Sequence, residues 1–245
     1  MMQQTMEKLH DLRLRGMSLA LEEQMTRGDS AELSFEERFS LIVDREWLLR
    51  QESRLKQRLK MAHLKQGACV EDIDFRHPRG LDRNVILDLA SCRWIRAKRN
   101  LILTGPTGVG KTWLACALAE KACREGLTAL YTRIQRLIHE LAMARADGSY
   151  LKVVGKLAKV DLMVLDDWGL SPLEGQSQHD LLEVIDDRAG IRSTLVTSQL
   201  PLNKWHDMVA DPSVADALLD RLASSVIKIH LKGGSMRKVE SDVAG

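Results

Sequence analysis

The sequence predicts an α/β fold, a parallel five-stranded sheet with flanking helices preceded by a small all-α N-terminal domain. Three observations predict it. Short apolar runs alternate with helical segments through the second two thirds of the chain, the pattern of strands buried on both faces and joined by helical crossovers. One of those strands runs straight into a glycine-rich turn and a helix, "NLILTGPTGVGKTW". Upstream, residues 35–66 contain neither glycine nor proline, so nothing interrupts a helix there.

Along the chain, Met6, Leu9, Leu12, Met17, Leu21 and Met25 are spaced three to five apart and suggest one short amphipathic helix over 5–26. "RGDS" ends it. Ser34 and Glu37 have capping-box spacing, so a second, long helix is expected to start near Phe35. Its distal part, "RQESRLKQRLKMAHLK", gathers Arg50, Arg54, Lys56, Arg58, Lys60 and Lys65 against one glutamate; this is either a solvated face or a surface for phosphates or a partner. "GACVEDIDFRHPRG" changes character, with acidic residues, Pro78 and Gly80, giving a helical domain over 1–66, a linker over 67–80 and a second domain over 81–245. The expected strands are "NLILTG", "TALYT", "DLMVLDD", "STLVTS" and "SVIKIHL", with helices near 111–125, 133–145, 176–189 and 213–223.

Composition narrows the class without naming a partner. Of 245 residues 44% are apolar, ample for a packed core, and a net charge of +2 with 29% charged residues selects no partner by itself. Cys69, Cys92, Cys116 and Cys123 form no CxxC pair and read as reduced packing residues. The opening "MMQQTMEKLH" has no basic stretch with an apolar run behind it, and no segment has the length of a membrane span, so a cytoplasmic protein without a membrane partner is expected.

The chemistry is concentrated in "GPTGVGKT", which matches G-x-x-x-x-G-K-[ST] between a strand and a helix. Its glycines let backbone amides turn toward phosphates at a helix N-terminus. Gly105, Pro106, Thr107, Gly108, Val109, Gly110, Lys111, Thr112 and Trp113 are therefore expected to wrap a nucleoside triphosphate, with Lys111 on the β/γ-phosphates and Thr112 on Mg²⁺. A second apolar strand ends in Asp166 and Asp167. Asp166 is expected to hold Mg²⁺ through its water shell, and Asp167 to orient or deprotonate the attacking water, a loop carboxylate being the competing reading. Gln199, after "STLVTS", would hold that water or sense the γ-phosphate, or else close a strand-end turn. Arg221 and Arg237 are candidates for contact with a γ-phosphate, Arg221 with a neighbouring copy's, against the ordinary reading of surface arginines.

Together the stretches "NLILTGPTGVGKTWLACALAEKA", "ARADGSY", "LMVLDDWGL", "STLVTSQLPLNKWHD" and "ADALLDRLASSVIKIHLKGGSMRK" resemble the IstB-like branch of the AAA+ initiator and helicase-loader group, helper ATPases of insertion-sequence transposition. "SFEERFSLIVDREWLLRQESRLKQRLKMA" resembles the N-terminal part of that family. The resemblance implies a P-loop AAA+ core, ATP and Mg²⁺ as cofactors, self-assembly into a homo-oligomer around duplex DNA, and partnership with an IstA-like transposase. Carried over by position, Lys111 and Thr112 are the Walker A pair, Asp166 and Asp167 the Walker B pair, Gln199 sensor I, Arg221 the arginine finger, and Arg237 falls in the sensor II region. Two departures stand out: the group commonly carries glutamate where this chain has Asp167, and its small helical lid needs more chain than residues 232–245.

Initiator-type members insert an extra helix after the second strand, and "RIQRLIHELAMARADGSYLKVVGKLAK" is long enough to hold one. Arg133, Arg136, Arg145, Lys152 and Lys156 on it are expected to meet DNA phosphates independently of sequence. The expected activity is an ATPase, stimulated by DNA and assembly, that deforms target DNA for the transposase and lets go on hydrolysis. A DnaC-like replicative helicase loader is the nearest alternative, but single-strand binders favour stacking aromatics and only 4% of this chain is aromatic. A small-metabolite kinase and a nucleotide-gated scaffold with negligible hydrolysis are the remaining classes.

Overall fold

A computed structural model describes residues 2–26 and 33–236. The chain divides into two compact units, Met1–Gln57 and Arg58–Gly245.

The first unit is helical, and the last of its helices continues past Gln57 into the second. α1 (Met2–Asp11) and α2 (Arg15–Thr26) replace the single helix expected over 5–26. The break is a left-handed turn: Arg13 has φ of +56°, a conformation no α-helix continues through, and Leu14 N–H reaches back to the Leu9 carbonyl at 2.8 Å. α3 (Phe35–Ala62) begins where the capping box places it, with the Ser34 hydroxyl accepting from Glu37 N–H at 3.2 Å and the Glu37 carboxylate accepting from Ser34 N–H at 2.8 Å. Gly16 of α2 lies against α3 so closely that a Cβ there would stand 2.5 Å from the Glu46 Cα. The buried Glu46 carboxylate accepts from Gly16 N–H at 2.6 Å and from Arg50 Nε at 2.6 Å. Burial would raise its pKa, yet these donors hold it below the ordinary glutamate value.

The second unit holds α4 (Arg83–Ala90), the short α5 (Arg93–Arg96), β1 (Asn100–Thr104), α6 (Lys111–Arg124), β2 (Ala129–Arg133), α7 (Ile134–Ala146), α8 (Tyr150–Leu157), β3 (Leu162–Trp168), α9 (Gln176–Asp186), β4 (Ser193–Ser198), α10 (Pro212–Ala223) and β5 (Val226–His230). All five strands pair in parallel in the order β2-β3-β4-β1-β5. β1, β3 and β4 are buried through most of their length, β4 with its serines and threonines included, because helices cover both faces of the sheet. The crossover from β2 to β3 carries two helices, α7 and α8, in line with the expected insertion. Arg145 pins them: it bonds Asp180 of α9 at 2.6 Å, lies 3.7 Å from Glu183, and its guanidinium sits 3.7 Å over the Tyr150 ring.

The carboxyl ends of the parallel strands gather the loops that carry the motifs, as strand polarity in open α/β sheets requires. β3 and β4 keep register through Leu165↔Val196, then shift between Leu165 and Trp168. Asp167 stands in that bulge with φ of +67°, which turns its side chain away from that of Asp166. Trp168 stacks on Trp205 at 4.8 Å between ring centroids, and Trp205 Nε1 donates to the Leu200 carbonyl at 3.1 Å. "LDDWGL" and "SQLP" followed by Trp205 are thus one packed unit beneath the two loops.

Candidate nucleotide site

The turn after β1 is held open by glycine. A Cβ on Gly105, at φ of +146°, would stand 2.3 Å from the Leu231 carbonyl oxygen, and one on Gly108, at φ of +84°, would stand 2.2 Å from the Ser235 hydroxyl. No larger residue fits either place. α6 then starts at Lys111 with Gly110 as its N-cap, so its unpaired amides face the turn. Lys111 is buried, and its Nζ donates to the carbonyls of Gly105 and Pro106 at 2.7 Å each. Its ammonium is therefore held inside the loop it serves, among the groups that would surround a phosphate.

Thr112 and Asp166 meet: the hydroxyl lies 3.0 Å from both carboxylate oxygens. Asp166 is 0% exposed and accepts two further hydroxyls, Tyr131 of β2 at 2.5 Å and Thr197 of β4. Burial first, and the Asp166 carboxylate second, push the Tyr131 phenol far above its ordinary value, so it stays a donor and fixes the carboxylate's orientation. Tyr131 and Thr197 are site residues that sequence reasoning missed. Their only advance signal was register, since they stand on the strands either side of β3.

The Thr197 hydroxyl also accepts from Asp167 N–H at 3.2 Å, tying the bulge to β4. Asp167 lies 3.6 Å from Arg133 at the end of β2. Burial, and then the Asp166 charge, raise the Asp167 carboxyl above the usual aspartate value, against the pull of Lys65, Arg133 and Lys111. A carboxylate of raised basicity is better suited to taking a proton near neutrality. Gln199 reaches the turn itself, accepting from the Thr107 hydroxyl at 2.7 Å, and Gly105 N–H donates to the Ser198 carbonyl at 3.2 Å. Lys111, Thr112, Asp166, Asp167 and Gln199 are thereby brought to one place.

Arg221 is not. It lies near the end of α10, ion-paired with Asp186 and donating to the Ala217 carbonyl at 2.9 Å. The Asn100 side chain, at the start of β1, donates to the Arg221 and Leu222 carbonyls. Arg221 therefore belongs to the amino ends of the strands, roughly 15 Å of β1 from this chain's own turn. Arg237 lies outside the described residues.

The five cations named for DNA separate as well. Arg133 faces Asp167, Arg136 pairs with Glu140 at 2.9 Å, and Arg145 is taken up by Asp180, Glu183 and Tyr150. Lys152 and Lys156 are exposed on α8. In the basic tract of α3, Arg50 pairs with Glu46, whereas Arg58 donates to the Cys123 carbonyl at 2.9 Å. Among the described residues no helix is long and apolar enough to cross a membrane.

Comparison with known proteins places the chain in a family. The chain matches the family described as IstB-like ATP binding protein over residues 7–244. It is 47% identical over 234 residues to the insertion sequence ATP-binding protein y4pL of Sinorhizobium fredii, covering 96% of each chain. To the insertion sequence IS1162 ATP-binding protein of Pseudomonas fluorescens it is 56% identical over 202 residues, 82% of this chain and 87% of that one. Among solved structures, the DnaC helicase loader superposes with a TM-score of 0.56 at 19% identity, covering 67% of this chain and 97% of that one. AMPPCP-bound DnaA from Aquifex aeolicus gives 0.58 at 17% identity, over 69% and 51%. These last two share the P-loop AAA+ fold. With the family match spanning nearly the whole chain and these relatives covered over most of their length, the chain belongs to the IstB-like ATP-binding protein family associated with insertion sequences.

Proposed function

We propose that this chain is an ATP-dependent helper of transposition: it binds Mg²⁺·ATP, assembles as a homo-oligomer on duplex DNA, deforms the duplex, recruits or stimulates an IstA-like transposase, and releases on hydrolysis. The observation that carries the reading is the division of the catalytic set between the two ends of the sheet. Lys111, Thr112, Asp166, Asp167 and Gln199 converge at one end, while Arg221 is held near Asn100 at the other. An arginine so placed serves a neighbour's nucleotide, which couples hydrolysis to assembly.

In this mechanism Lys111 exchanges the Gly105 and Pro106 carbonyls for the β/γ-phosphate oxygens. Thr112 and Asp166, a hydroxyl and a buried carboxylate 3.0 Å apart, are the oxygen donors suited to a hard divalent ion. Mg²⁺ bound there supplies charge neutralisation for the transferred phosphoryl group. Gln199 positions a water and Asp167 takes its proton as the water oxygen bonds to the γ-phosphorus; the bond to ADP breaks, and phosphate and ADP leave. A neighbour's Arg221 meets the charge that develops, and Arg237 is assigned to the sensor II region.

Lys152 and Lys156 supply sequence-neutral phosphate contacts, to which Arg133 and Arg136 add theirs. Arg145 contributes by fixing α7 and α8 in place. Deforming a duplex over a few turns costs roughly 1–10 kcal/mol, which repeated contacts from copies in register offset. Residues 1–66 act as the partner- or neighbour-facing module and 67–80 as its linker.

The test is phosphate release by the full chain with and without duplex DNA, paired with sedimentation on DNA in a non-hydrolysable ATP analogue. Stimulated release and analogue-dependent assembly are expected. A monomer that leaves the duplex unbent refutes the reading, and preference for single strands with capture of a replicative helicase moves the protein to the loader class.

A further inference from the structure

Arg79, in the stretch before α4, is 6% exposed and lies against the nucleotide turn. A Cβ placed on Gly110, the N-cap of α6, would stand 2.9 Å from Arg79 Nη1. Arg79 Nη2 donates to the Asp74 carbonyl at 2.8 Å, the Arg79 carbonyl accepts from Lys232 N–H at 2.9 Å, and Arg79 Nε is buried without a hydrogen-bond partner. The nearest carboxylate, Asp74, is already bonded by the exposed Arg76 at 3.1 Å.

A guanidinium desolvated beside the positive end of a 14-residue helix is unfavourable on two counts. Its charge is removed from water, and it meets the partial positive charge of the helix amides. Burial pushes its pKa below the ordinary arginine value, with Asp74 opposing. An anion at the turn removes both penalties, because it accepts from the helix amides and the guanidinium together.

We propose that Arg79 is a second nucleotide-binding cation of the same chain, donating to the polyphosphate of a nucleoside di- or triphosphate held on the turn between Gly105 and Thr112. The proposal rests on the nucleotide reading of that turn and adds a ligand that the G-x-x-x-x-G-K-T motif does not contain. Arg79 differs from Lys111 in that it comes from the chain before the core, so the segment 74–80 and the turn are ordered by one ligand.

The test is calorimetric binding of ATP, ADP and inorganic tripolyphosphate to the full chain, its Arg79→Gln and Arg79→Lys variants, and Lys111→Ala, with melting temperatures of each nucleotide-free protein. Arg79→Gln is expected to weaken ATP and tripolyphosphate alike, by about tenfold, the worth of one charge-assisted hydrogen bond. Arg79→Lys is expected to restore part of the loss, and the nucleotide-free melting temperature to hold. Tripolyphosphate has neither base nor ribose, so a loss confined to ATP overturns the phosphate contact. A lowered nucleotide-free melting temperature with no recovery in Arg79→Lys makes the residue structural and overturns it too. Wild-type affinity in Arg79→Gln while Lys111→Ala loses ATP refutes Arg79 alone, whereas wild-type affinity in Lys111→Ala refutes the site itself.

Discussion

The two ends of the sheet are built differently. At the carboxyl ends the polar side chains are buried and interlocked: Asp166 takes three hydroxyls from three elements, and Thr197 serves both aspartates. At the amino ends Arg221 is 32% exposed in a pair with Asp186, itself 56% exposed, an arrangement worth little in stability and easily exchanged for another anion. On the proposed reading, rigid groups would meet charge without rearrangement, and a loosely held arginine would suit a partner that must be engaged and released.

That contrast can be broken most severely at the loose end. Arg221→Ala is expected to lower DNA-stimulated phosphate release by roughly 10³-fold, within the range for arginine fingers, while ATP affinity and melting temperature stay near wild type; equilibrium nucleotide binding beside steady-state hydrolysis measures both. At the rigid end Lys111→Ala is expected to cost about 10²–10³-fold in hydrolysis and, by losing ATP itself, to abolish the ATP-dependent assembly that Arg221→Ala weakens; sedimentation reads both, and unchanged assembly in Arg221→Ala counts against the coupling. Asp167→Asn follows with a loss of order 10²-fold in kcat and little change in binding.

The pH dependence sharpens the same comparison. Asp167 must be ionised to accept a proton, so kcat falls as pH drops through its pKa, and the raised value puts this acidic limb above that of an ordinary aspartate. Arg133 favours the ionised form, so Arg133→Ala is expected to move the limb to higher pH; a limb that stays put removes Asp167 from the role of base. Smallest are the helix cations: Lys152→Ala and Lys156→Ala should each reduce the salt slope of duplex binding by about one, without altering phosphate release from the DNA-free protein.

How much of this was legible in the sequence depended on how local the chemistry is. Gly105 to Thr112 occupy one turn, so phosphate chemistry fixes their spacing and the motif reads directly; the five strands and the bulk of the helices were placed for the same reason, since period and breakers act within a few residues. The support of Asp166 was not legible. Tyr131 and Thr197 are 35 and 31 residues away, and their convergence follows from strand order and register. Arg145 read as a free cation because Asp180 and Glu183 stand on another helix. The turn at Arg13 escaped notice because apolar spacing continues across it, and nothing in "FRHPRG" marks Arg79 as facing Gly110.

The paired indoles of Trp168 and Trp205, 4.8 Å apart with planes 24° from parallel, give the protein an optical signature of its own. Rings so close couple their excitations, and they lie beneath both loops that carry Asp167 and Gln199. If either loop shifts on nucleotide binding, that coupling changes, so near-ultraviolet dichroism would report the proposed nucleotide states without any added dye.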